Sequence, residues 1–233
     1  MKKQFRKIYG INMNITNEII TEYLNKFYFE NTNGLSQLRK EAEENRVPII
    51  LRDTELLLKT LILLMKPQNI LEIGTAVGYS SSFFASLSDD IQITTIESNE
   101  ETYNKAINNI NKLGYKDRIN VCLGDAREVL EELKKEHSSS FDFVFIDAAK
   151  SHYRSFWDLS IPLIKDESLI VCDNILMKGM TASDEYDRFK RHKTNIRHMR
   201  NFLDYINNLD YAQTTTLAVG DGLALSIINK RRG

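Results

Sequence analysis

The sequence predicts a doubly wound α/β fold, in which a mostly parallel sheet of seven strands is covered by helices and ends in a C-terminal antiparallel hairpin. Five short apolar segments alternate with segments of helical periodicity, which is typical of parallel strands buried on both faces. Two further strand-like segments follow each other across a Gly-Asp-Gly turn, so they should pair as a hairpin. At 233 residues the chain should form one domain, with N-terminal helices over 1–65 and the binding core over 66–233.

The elements follow in order along the chain. Helices are predicted over 16–30, 35–45 and 53–65, and Pro48 separates the second from the third because proline removes a backbone donor. Strands are predicted over 69–74, 92–97, 119–124, 141–148 and 168–174, with helices between them over 79–88, 100–113, 126–137 and 151–165. A long helix over 184–209 should then lead to the hairpin strands at 211–219 and 222–229. Ligands of such a sheet bind at the carboxyl ends of its strands.

Composition excludes several classes of protein. The net charge of −1 provides no global field that would attract nucleic acid or an anionic membrane, so any polyanion site must be a local patch. The most apolar stretch, 56–65, is interrupted by Lys59 and is too short to span a bilayer. Cys122 and Cys172 lie in segments that we interpret as central strands, which predicts buried structural thiols. A soluble, cytoplasmic protein is the expectation.

The ends of the first three strands carry a predicted cofactor site. Gly74 and Gly78 follow the first strand and allow close approach of the backbone to a ligand, and the following helix offers unpaired N–H donors. Glu97 ends the second strand, where a carboxylate can accept hydrogen bonds from both hydroxyls of a ribose. Asp125 ends the third strand and could accept from an adenine amino group. The alternative is that the glycines only form a tight turn and that the acids are solvated.

The loop after the first strand distinguishes two kinds of cofactor. A dinucleotide site requires Gly-x-Gly-x-x-Gly, whereas here Ala76 replaces the middle glycine. Glu72 would be a poor neighbour for a pyrophosphate but a favourable one for a cationic sulfonium. The pattern therefore favours a sulfonium cofactor.

Acidic and amide side chains end the next two strands. Asp147 and Lys150 follow the fourth strand, and Asp173 and Asn174 end the fifth. Because neighbouring parallel strands bring their carboxyl ends together, two carboxylates and one amide oxygen can converge on a hard octahedral ion such as Mg²⁺. The alternative is that these residues cap helices or form turns, as Asp and Asn commonly do.

Taken together, these motifs resemble the metal-dependent O-methyltransferases, which include the catechol and caffeoyl-CoA O-methyltransferases and their bacterial relatives. The resemblance covers about residues 45–229 and rests on EIGTAVGYSS, GDA, DAAK, CDN and VGDGLALS. The third glycine of the common methyltransferase loop is missing, as it commonly is in this branch. The resemblance implies a Rossmann-like methyltransferase fold, S-adenosylmethionine as the methyl donor and a divalent cation.

The resemblance also implies roles for individual residues. Lys150 resembles the general base, and Asp147 belongs to the same catalytic group. The metal ligands that it implies are Asp147, Asp173 and Asn174. The cofactor shell that it implies consists of Ile50, Glu72, Gly74, Gly78, Ser80, Glu97, Asp125, Ala126 and Asp147. The implied reaction is direct transfer of a methyl group from sulfonium to a hydroxyl oxygen whose proton Lys150 takes.

A basic segment, RFKRHKTNIRHMR at 188–200, bears on the acceptor. On one helix, Lys190, Lys193, Arg197 and Arg200 would form a stripe suited to phosphates, next to an apolar face of Ile196, Met199, Leu203 and Ile206. The alternative is a solvated helix face. The segment resembles bacterial members of the family that methylate 5-hydroxyuridine at the tRNA wobble position to 5-methoxyuridine.

The acceptor therefore has two candidates. The first is the anticodon loop of tRNA, because the 4-carbonyl and 5-hydroxyl oxygens of 5-hydroxyuridine are adjacent, as in a catechol, and a loop base can be splayed out. The second is a small catechol-type phenol or a caffeoyl-CoA-like ester, whose phosphates could use the same stripe. A third class, a non-catalytic cofactor- or RNA-binding protein, does not need the Asp-x-x-Lys and Asp-Asn pairs. Family members are often homodimers, and the N-terminal 45 residues are the expected interface.

Overall fold

The computed structural model describes residue 15, residues 17–136 and residues 138–232. It contains a seven-stranded sheet in the order β3-β2-β1-β4-β5-β7-β6. The strands are β1 (Asn69–Ile73), β2 (Gln92–Glu97), β3 (Ile119–Leu123), β4 (Phe141–Ile146), β5 (Ile164–Asp173), β6 (Ala212–Leu217) and β7 (Leu223–Ile228). The first five pair in parallel, and β7 pairs antiparallel with both β5 and β6. The predicted fold class is confirmed.

Helices cover both faces of the sheet. They are α1 (Glu18–Leu24), α2 (Asn33–Glu44), α3 (Arg52–Met65), α4 (Tyr79–Ala85), α5 (Glu100–Leu113), α6 (Ala126–Glu136), α7 (Tyr153–Ser160) and α8 (Lys193–Asn207). Side chains on β4 alternate between two cores because successive residues of a strand point to opposite faces. Phe143 and Phe145 pack with helices α2 to α5 on one face, whereas Val144 and Ile146 pack with α6 to α8 on the other. None of the helices in the described ranges is long and apolar enough to cross a membrane.

The structure corrects the predicted helix over 151–165. Helix α7 ends at Ser160, and β5 already begins at Ile164, four residues before the predicted strand. Pro162 lies between them in a short 3₁₀ turn, Ile161–Leu163, since proline cannot donate within an α-helix. The early start of β5 also includes a register shift against β4 between Phe141 and Phe143.

The structure also corrects the predicted helix over 184–209. A 3₁₀ turn, Asp184–Tyr186, is followed by an irregular segment, and the helix α8 begins only at Lys193. Lys190 adopts a left-handed backbone conformation with φ of 53°. The buried Asp187 carboxylate accepts the backbone N–H groups of Arg191 and His192, at 3.1 Å each, which competes locally with helix formation. The apolar face of α8 is as predicted, with Ile196, Met199 and Ile206 buried and Leu203 partly buried.

Smaller differences affect the N-terminal helix and the cysteines. The predicted helix over 16–30 is shorter: α1 ends at Leu24 and continues only as a 3₁₀ turn, Asn25–Phe27, while residue 16 lies outside the described residues. Cys172 is buried in the central strand β5, as predicted. Cys122 lies on β3, which is an edge strand, and is only partly buried, so its expected central position was wrong.

Candidate active site

A cavity of about 1140 Å³ opens over the carboxyl ends of β1 to β5. Backbone hydrogen bonds hold these ends together: the Gly74 N–H donates to Ile96, the Asp147 N–H to Ile73 and the Gly124 N–H to Glu97. Residues 48–53, from the connection between α2 and α3 and the start of α3, form another wall of the cavity. Its position agrees with the rule that parallel α/β sheets bind ligands at the carboxyl ends of their strands.

The loop between β1 and α4 requires glycine at its start. Gly74 has φ of 103°, and a Cβ atom there would lie 2.1 Å from the backbone oxygen of Asp147. Gly78, with φ of 78°, begins α4 in the left-handed conformation. Ala76, which replaces the middle glycine of a dinucleotide motif, is also left-handed, with φ of 47°. The loop therefore passes directly against the end of β4, where the predicted chemical residues begin.

Glu97 shapes this loop. One carboxylate oxygen accepts the Ala76 N–H at 3.0 Å, and the other accepts the Asn99 N–H at 2.9 Å. The left-handed backbone at Ala76 is thus stabilised by a charge-assisted hydrogen bond. Glu97 lines the cavity and is only partly buried, so its carboxylate is also accessible to a ligand.

Glu72 lies beneath the loop and is fully buried. Its Oε2 accepts a 2.6 Å hydrogen bond from Thr95, whereas Oε1 has no hydrogen-bond partner among the described residues. Burial raises the pKa of Glu72 to about 7, against the opposing effect of the Ser80 and Thr95 hydroxyls. An incompletely satisfied buried carboxyl beside the cavity would be stabilised as a carboxylate by a nearby cation.

At the end of β3, Asp125 and Ala126 line the cavity together with Arg127. The Asp125 carboxylate accepts from the backbone N–H of Arg127 and from its guanidinium, at 2.9, 3.0 and 2.6 Å. These contacts lower the pKa of Asp125 to about 2. Asp125 is therefore ionised, and an incoming donor would share its carboxylate with Arg127.

Lys150 lies at the centre of the site formed at the ends of β4 and β5, which we call the chemical end. Its ammonium donates to Asp147 Oδ1 and to Asn174 Oδ1, both at 3.0 Å, and to the hydroxyl of Tyr153 at 2.7 Å. Two of the residues predicted at this end, Asp147 and Asn174, thus meet around the positive charge of a third, Lys150. They come from two different strand ends. The ammonium marks a point at which oxygen atoms from β4 and β5 converge on a cation.

Asp173, the last predicted ligand, is the final residue of β5 and is buried. Its Oδ1 accepts the backbone N–H of Asn174 at 2.6 Å and the side-chain amide of Asn174 at 3.2 Å. Burial and the negative charge of Asp147 raise the pKa of Asp173 to about 8, opposed by the Asn174 N–H and Lys150. Because Asp147 and Asp173 repel each other, a positive charge nearby would stabilise both as carboxylates.

The donor set fits a hard divalent cation. No group of three or more His, Cys, Asp and Glu side chains that could hold a metal is present in the part of the chain that the structure describes. The candidate donors are the carboxylates of Asp147 and Asp173 and the amide oxygen of Asn174, and oxygen donors of this kind suit Mg²⁺. Two of these three side chains already share a cation, the Lys150 ammonium.

Two residues of the site were missed from the sequence. Asp221 lines the cavity, accepts the Lys178 N–H at 2.5 Å, and has a pKa raised by burial. A signal for it existed: β7 runs antiparallel to β5, with Leu223 opposite Asp173, so the turn before β7 must lie at the carboxyl end of β5. Tyr153 is buried and donates to the backbone oxygen of Asp173 at 2.7 Å. Its pattern in the sequence is that of an ordinary core aromatic.

Comparison with known proteins decides the class of this site. The family profile described as O-methyltransferase matches residues 26–229.

The chain belongs to the O-methyltransferase family.

Relatives of this methyltransferase agree in sequence and in fold. A caffeoyl-CoA O-methyltransferase from Stellaria longipes is 31% identical over 199 residues, which cover 81% of this chain and 80% of that protein. A Staphylococcus aureus protein, to which caffeoyl-CoA O-methyltransferase activity has been attributed, has a solved structure with a TM-score of 0.85 and 34% identity, covering 91% of this chain and 100% of that one. A Bacillus cereus O-methyltransferase in complex with SAH shares the fold, with a TM-score of 0.78 and 23% identity over 91% and 97% of the two chains. The chain is an S-adenosylmethionine-dependent O-methyltransferase of the caffeoyl-CoA type.

The cofactor residues expected in the methyltransferase fall into two groups. Those that line the cavity are Ile50, Gly74, Ser80, Glu97, Asp125, Ala126 and Asp147. The other two do not line the cavity: Glu72 lies beneath the loop between β1 and α4, and Gly78 is the last residue of that loop. The structure thus brings the expected residues to one end of the sheet.

The predicted basic stripe of the methyltransferase requires correction. Lys190 precedes α8, so it cannot share a helix face with Lys193 and Arg197. Arg200 donates to the backbone oxygens of Thr181 and Met180 and pairs with Asp184 at 2.8 Å, which fixes it against the preceding loop. None of the four stripe residues lines either of the two cavities described for residues 15, 17–136 and 138–232.

Other cations lie next to the methyltransferase site. A second cavity, of about 490 Å³, shares Lys150, Asn174, Lys178 and Asp221 with the first. Its outer wall is formed by basic and aromatic side chains, namely Lys178, Tyr186, Arg188, Phe189, Arg191 and His192. Phe189 is 79% exposed, and the Arg191 guanidinium lies 5.4 Å from its ring centre. Lys150 therefore borders both cavities.

Proposed function

We propose that this methyltransferase transfers the methyl group of S-adenosylmethionine, with the help of a divalent cation, to one of two adjacent oxygens of an acceptor. The observation that carries the proposal is the convergence of Asp147 Oδ1 and Asn174 Oδ1 on one cationic group, at 3.0 Å each. The convergence lies where the cofactor cavity meets the second cavity, so donor and acceptor can approach each other there.

The residues of the chain have distinct roles in this proposal. Asp147, Asp173 and Asn174 would hold the divalent cation, which would supply Lewis-acid stabilisation of the acceptor oxygen and so lower the pKa of the hydroxyl. Lys150 would first release its own proton, since an ammonium has no lone pair, and would then accept the hydroxyl proton as a neutral amine. Tyr153 fixes the direction of its Nζ through the 2.7 Å contact. Much of the remaining rate enhancement comes from holding the acceptor oxygen, the methyl carbon and the sulfur in line.

The cofactor end supports the same reaction. S-adenosylmethionine, when bound, supplies the methyl group from a positively charged sulfur. Glu97 would accept from its ribose, and Asp125 with Ala126 would contact its adenine; the support is that all three line the cavity. Glu72 places a buried acidic group next to the loop, which favours a cationic cofactor over a neutral one.

Metal removal tests the proposal. Excess chelator should abolish methyl transfer to a catechol, while S-adenosylhomocysteine binding, measured by calorimetry, should remain largely intact because the cofactor residues do not need the metal. Asp173→Asn should reproduce the loss and should be partly rescued by high concentrations of Mg²⁺ or Mn²⁺. Full activity in excess chelator contradicts the metal assignment.

A second variant separates Lys150 from the ligands. Lys150→Ala should reduce turnover far more than metal affinity, because the ammonium shares the ligand oxygens but is not itself a ligand. Metal affinity can be measured with Mn²⁺ by electron paramagnetic resonance, independently of activity. A variant that loses metal and keeps its rate at saturating metal contradicts the role of Lys150 as the base.

For the acceptor, we propose 5-hydroxyuridine at the wobble position of tRNA, methylated to 5-methoxyuridine. The support is the wall of the second cavity, where exposed aromatic rings and several cations surround the approach to Lys150. A splayed base can stack on such rings while phosphates meet the cations. The second candidate is a small catechol-type phenol or a caffeoyl-CoA-like ester, which the names of the curated relatives favour.

Transfer of a labelled methyl group discriminates between the two acceptors. Total tRNA lacking the 5-methoxy modification should accept the label at the wobble uridine, and catechol or caffeoyl-CoA should accept it more slowly at equal concentration. Label in the small phenols alone would make the second candidate the function.

We also propose that the methyltransferase acts as a homodimer through its N-terminal region. Apolar side chains in the first 65 residues remain exposed, among them Ile19, Phe29 and Leu64, which are 72%, 75% and 75% exposed. Exposed apolar side chains of this size mark interaction surfaces when they are contiguous. A second copy of the chain is the partner that would cover them.

A further inference from the structure

A buried polar network stands apart from the chemistry described so far. Arg39 on α2, Glu55 on α3 and Tyr79 at the start of α4 are buried to between 1% and 2% exposure, and Tyr28 joins them at 8%. No step of methyl transfer uses these side chains. They lie, however, between the N-terminal helices and the loop that forms the cofactor cavity.

The contacts of the network are dense. The Arg39 guanidinium forms an ion pair with Glu55 and donates through Nε to the hydroxyls of Tyr28 and Tyr79, at 3.1 Å each. The two tyrosine hydroxyls also donate to the Glu55 carboxylate, at 2.8 and 2.9 Å. Burial raises the pKa of Tyr79 well above its ordinary value, so its hydroxyl remains a donor.

Two members of the network are connected to the cofactor cavity. Arg39 donates through Nη1 to the backbone oxygen of Ile50 at 3.1 Å, and Ile50 belongs to the wall formed by residues 48–53. Tyr79 follows directly after Gly78 of the cofactor loop and lines the same cavity. The guanidinium therefore joins the wall on one side of the cavity to the loop on the other.

A second hydrogen bond holds the end of the 48–53 wall that is farther along the chain from Ile50. Asp53, at the start of α3, accepts the backbone N–H of Gly220 at 2.9 Å. Gly220 precedes Asp221 in the turn at the chemical end, and a Cβ atom at Gly220 would lie 2.2 Å from Thr54 Oγ1. The 48–53 wall is thus held at both ends, by Arg39 near the cofactor loop and by Gly220 near the chemical end.

From this geometry we infer that Arg39 and Glu55 are positioning residues for S-adenosylmethionine, which hold the 48–53 wall at the distance from the 74–79 loop that the cofactor needs. A buried ion pair often stabilises a fold no better than apolar residues of similar volume do. The fixed fork of the guanidinium, in contrast, sets the relative position of several groups at once. The inference rests on the cofactor site and is independent of the acceptor and of the metal.

The test separates positioning from stability. Arg39→Met leaves Glu55 buried without its partner, so both the thermal midpoint and the affinity for S-adenosylhomocysteine should fall, the affinity at least tenfold. The double variant Arg39→Met/Glu55→Met removes the unpaired charge, so its midpoint should recover toward that of the wild type. Its affinity, measured by calorimetry without metal or acceptor, should stay at least tenfold weaker. Recovery of affinity together with stability would overturn the inference.

Two controls complete the experiment. Ile206→Ala creates a cavity in the core on the opposite face of the sheet, and it should lower the thermal midpoint while leaving the affinity for S-adenosylhomocysteine within twofold. Tyr79→Phe removes only the hydroxyl contacts to Arg39 and Glu55 and should weaken binding severalfold, even if the Arg39 variants do not fold. Unchanged affinity in folded Tyr79→Phe and in the folded double variant would assign the network to stability alone. A chain that binds the cofactor but does not methylate would contradict the proposed function and leave this inference intact.

Discussion

At the scale of single residues, the fold stabilises the negative charge of Glu72 poorly in the ligand-free protein. Its ordinary pKa of 4.5 is raised to about 7 by burial. The folded state therefore binds the proton more tightly than the unfolded state does, and the stability of the protein should fall as the pH rises from about 4.5 to 7. Glu72→Gln removes this penalty.

The corresponding prediction concerns the free energy of unfolding. Glu72→Gln should be more stable relative to the wild type at pH 8 than at pH 5, by roughly 2–3 kcal/mol for a shift of this size. Urea denaturation of the ligand-free proteins at both pH values measures the difference. Thr95→Val is not a suitable control, since it removes a partner of Glu72, whereas Ser226→Ala on β7 leaves the carboxyl untouched. An unchanged stability difference between the two pH values contradicts the raised pKa.

The same variant should also discriminate between two ligands. S-adenosylmethionine carries a positive sulfur and S-adenosylhomocysteine does not. If Glu72 favours the sulfonium, Glu72→Gln should weaken S-adenosylmethionine binding by about 1–2 kcal/mol, the order expected for partly screened opposite charges. Affinity for S-adenosylhomocysteine should change less than twofold. Equal losses for both ligands would show that Glu72 acts on the shape of the loop rather than on charge.

At the scale of elements, the 74–78 loop can be tested with two matched glycines. Gly74 and Gly114 both have positive φ, at 103° and 80°, but only Gly74 lacks room for a Cβ atom. Gly114→Ala should cost about 1–2 kcal/mol of stability, the strain of a left-handed alanine. Gly74→Ala must also displace the Asp147 carbonyl, so it should cost clearly more and should abolish S-adenosylhomocysteine binding. Equal costs in urea denaturation would show that the approach to Asp147 is not tight.

Strands and helices were predictable from the sequence where a single physical rule determined them. The segment 69–73 was predictable as a strand, because buried parallel strands are nearly continuously apolar. The order of the strands in the sheet was not predicted. The segment before α8 was not predictable from periodicity, because it depends on Asp187 accepting the backbone N–H groups of Arg191 and His192. Local side-chain hydrogen bonds of this kind compete with a helix without changing its apolar pattern.

The residues of the site divide in the same way into those that the sequence predicts and those that it does not. Residues at the ends of parallel strands, such as Asp147 and Asp173, were predictable because topology brings those ends together. Asp221 required knowledge of the hairpin pairing, and Lys150 could be placed beside Asp147 but not between Asp147 and Asn174. The Arg39 network depends on the packing of three helices, which no spacing in the sequence reveals.

At the scale of the whole molecule, the surface around the second cavity can be tested with matched pairs of cations. Arg188→Ala/Arg191→Ala should weaken tRNA binding and reduce the slope of log affinity against log salt by about 0.7–0.9 for each lost phosphate contact. Lys193→Ala/Arg197→Ala removes the same charge from exposed positions of α8 outside both cavities and should have a smaller effect. Equal effects of the two pairs would indicate a diffuse basic surface, and no effect of either would favour a small acceptor.

Association between copies of the chain is a second property of the whole molecule. Phe29→Asp/Leu64→Asp introduces charges into the exposed apolar part of the N-terminal region and should convert a dimer into a monomer in light scattering. Phe189→Asp alters an equally exposed aromatic on the acceptor side and should leave the mass unchanged. A monomeric wild type, or a double variant that remains dimeric, contradicts the proposed interface.

The order of the sheet has a consequence for how the protein is made. β5 is flanked on one side by β4 and on the other by β7, which comes after α8 and β6 in the chain. During synthesis, the edge of β5 that bonds to β7 therefore remains unpaired until 55 further residues, 174–228, have left the ribosome. An unpaired apolar strand of this kind can pair with another nascent chain. Ribosomes that stall between residues 174 and 222 should release chains that aggregate, whereas full-length chains close the sheet and complete the turn that carries Asp221.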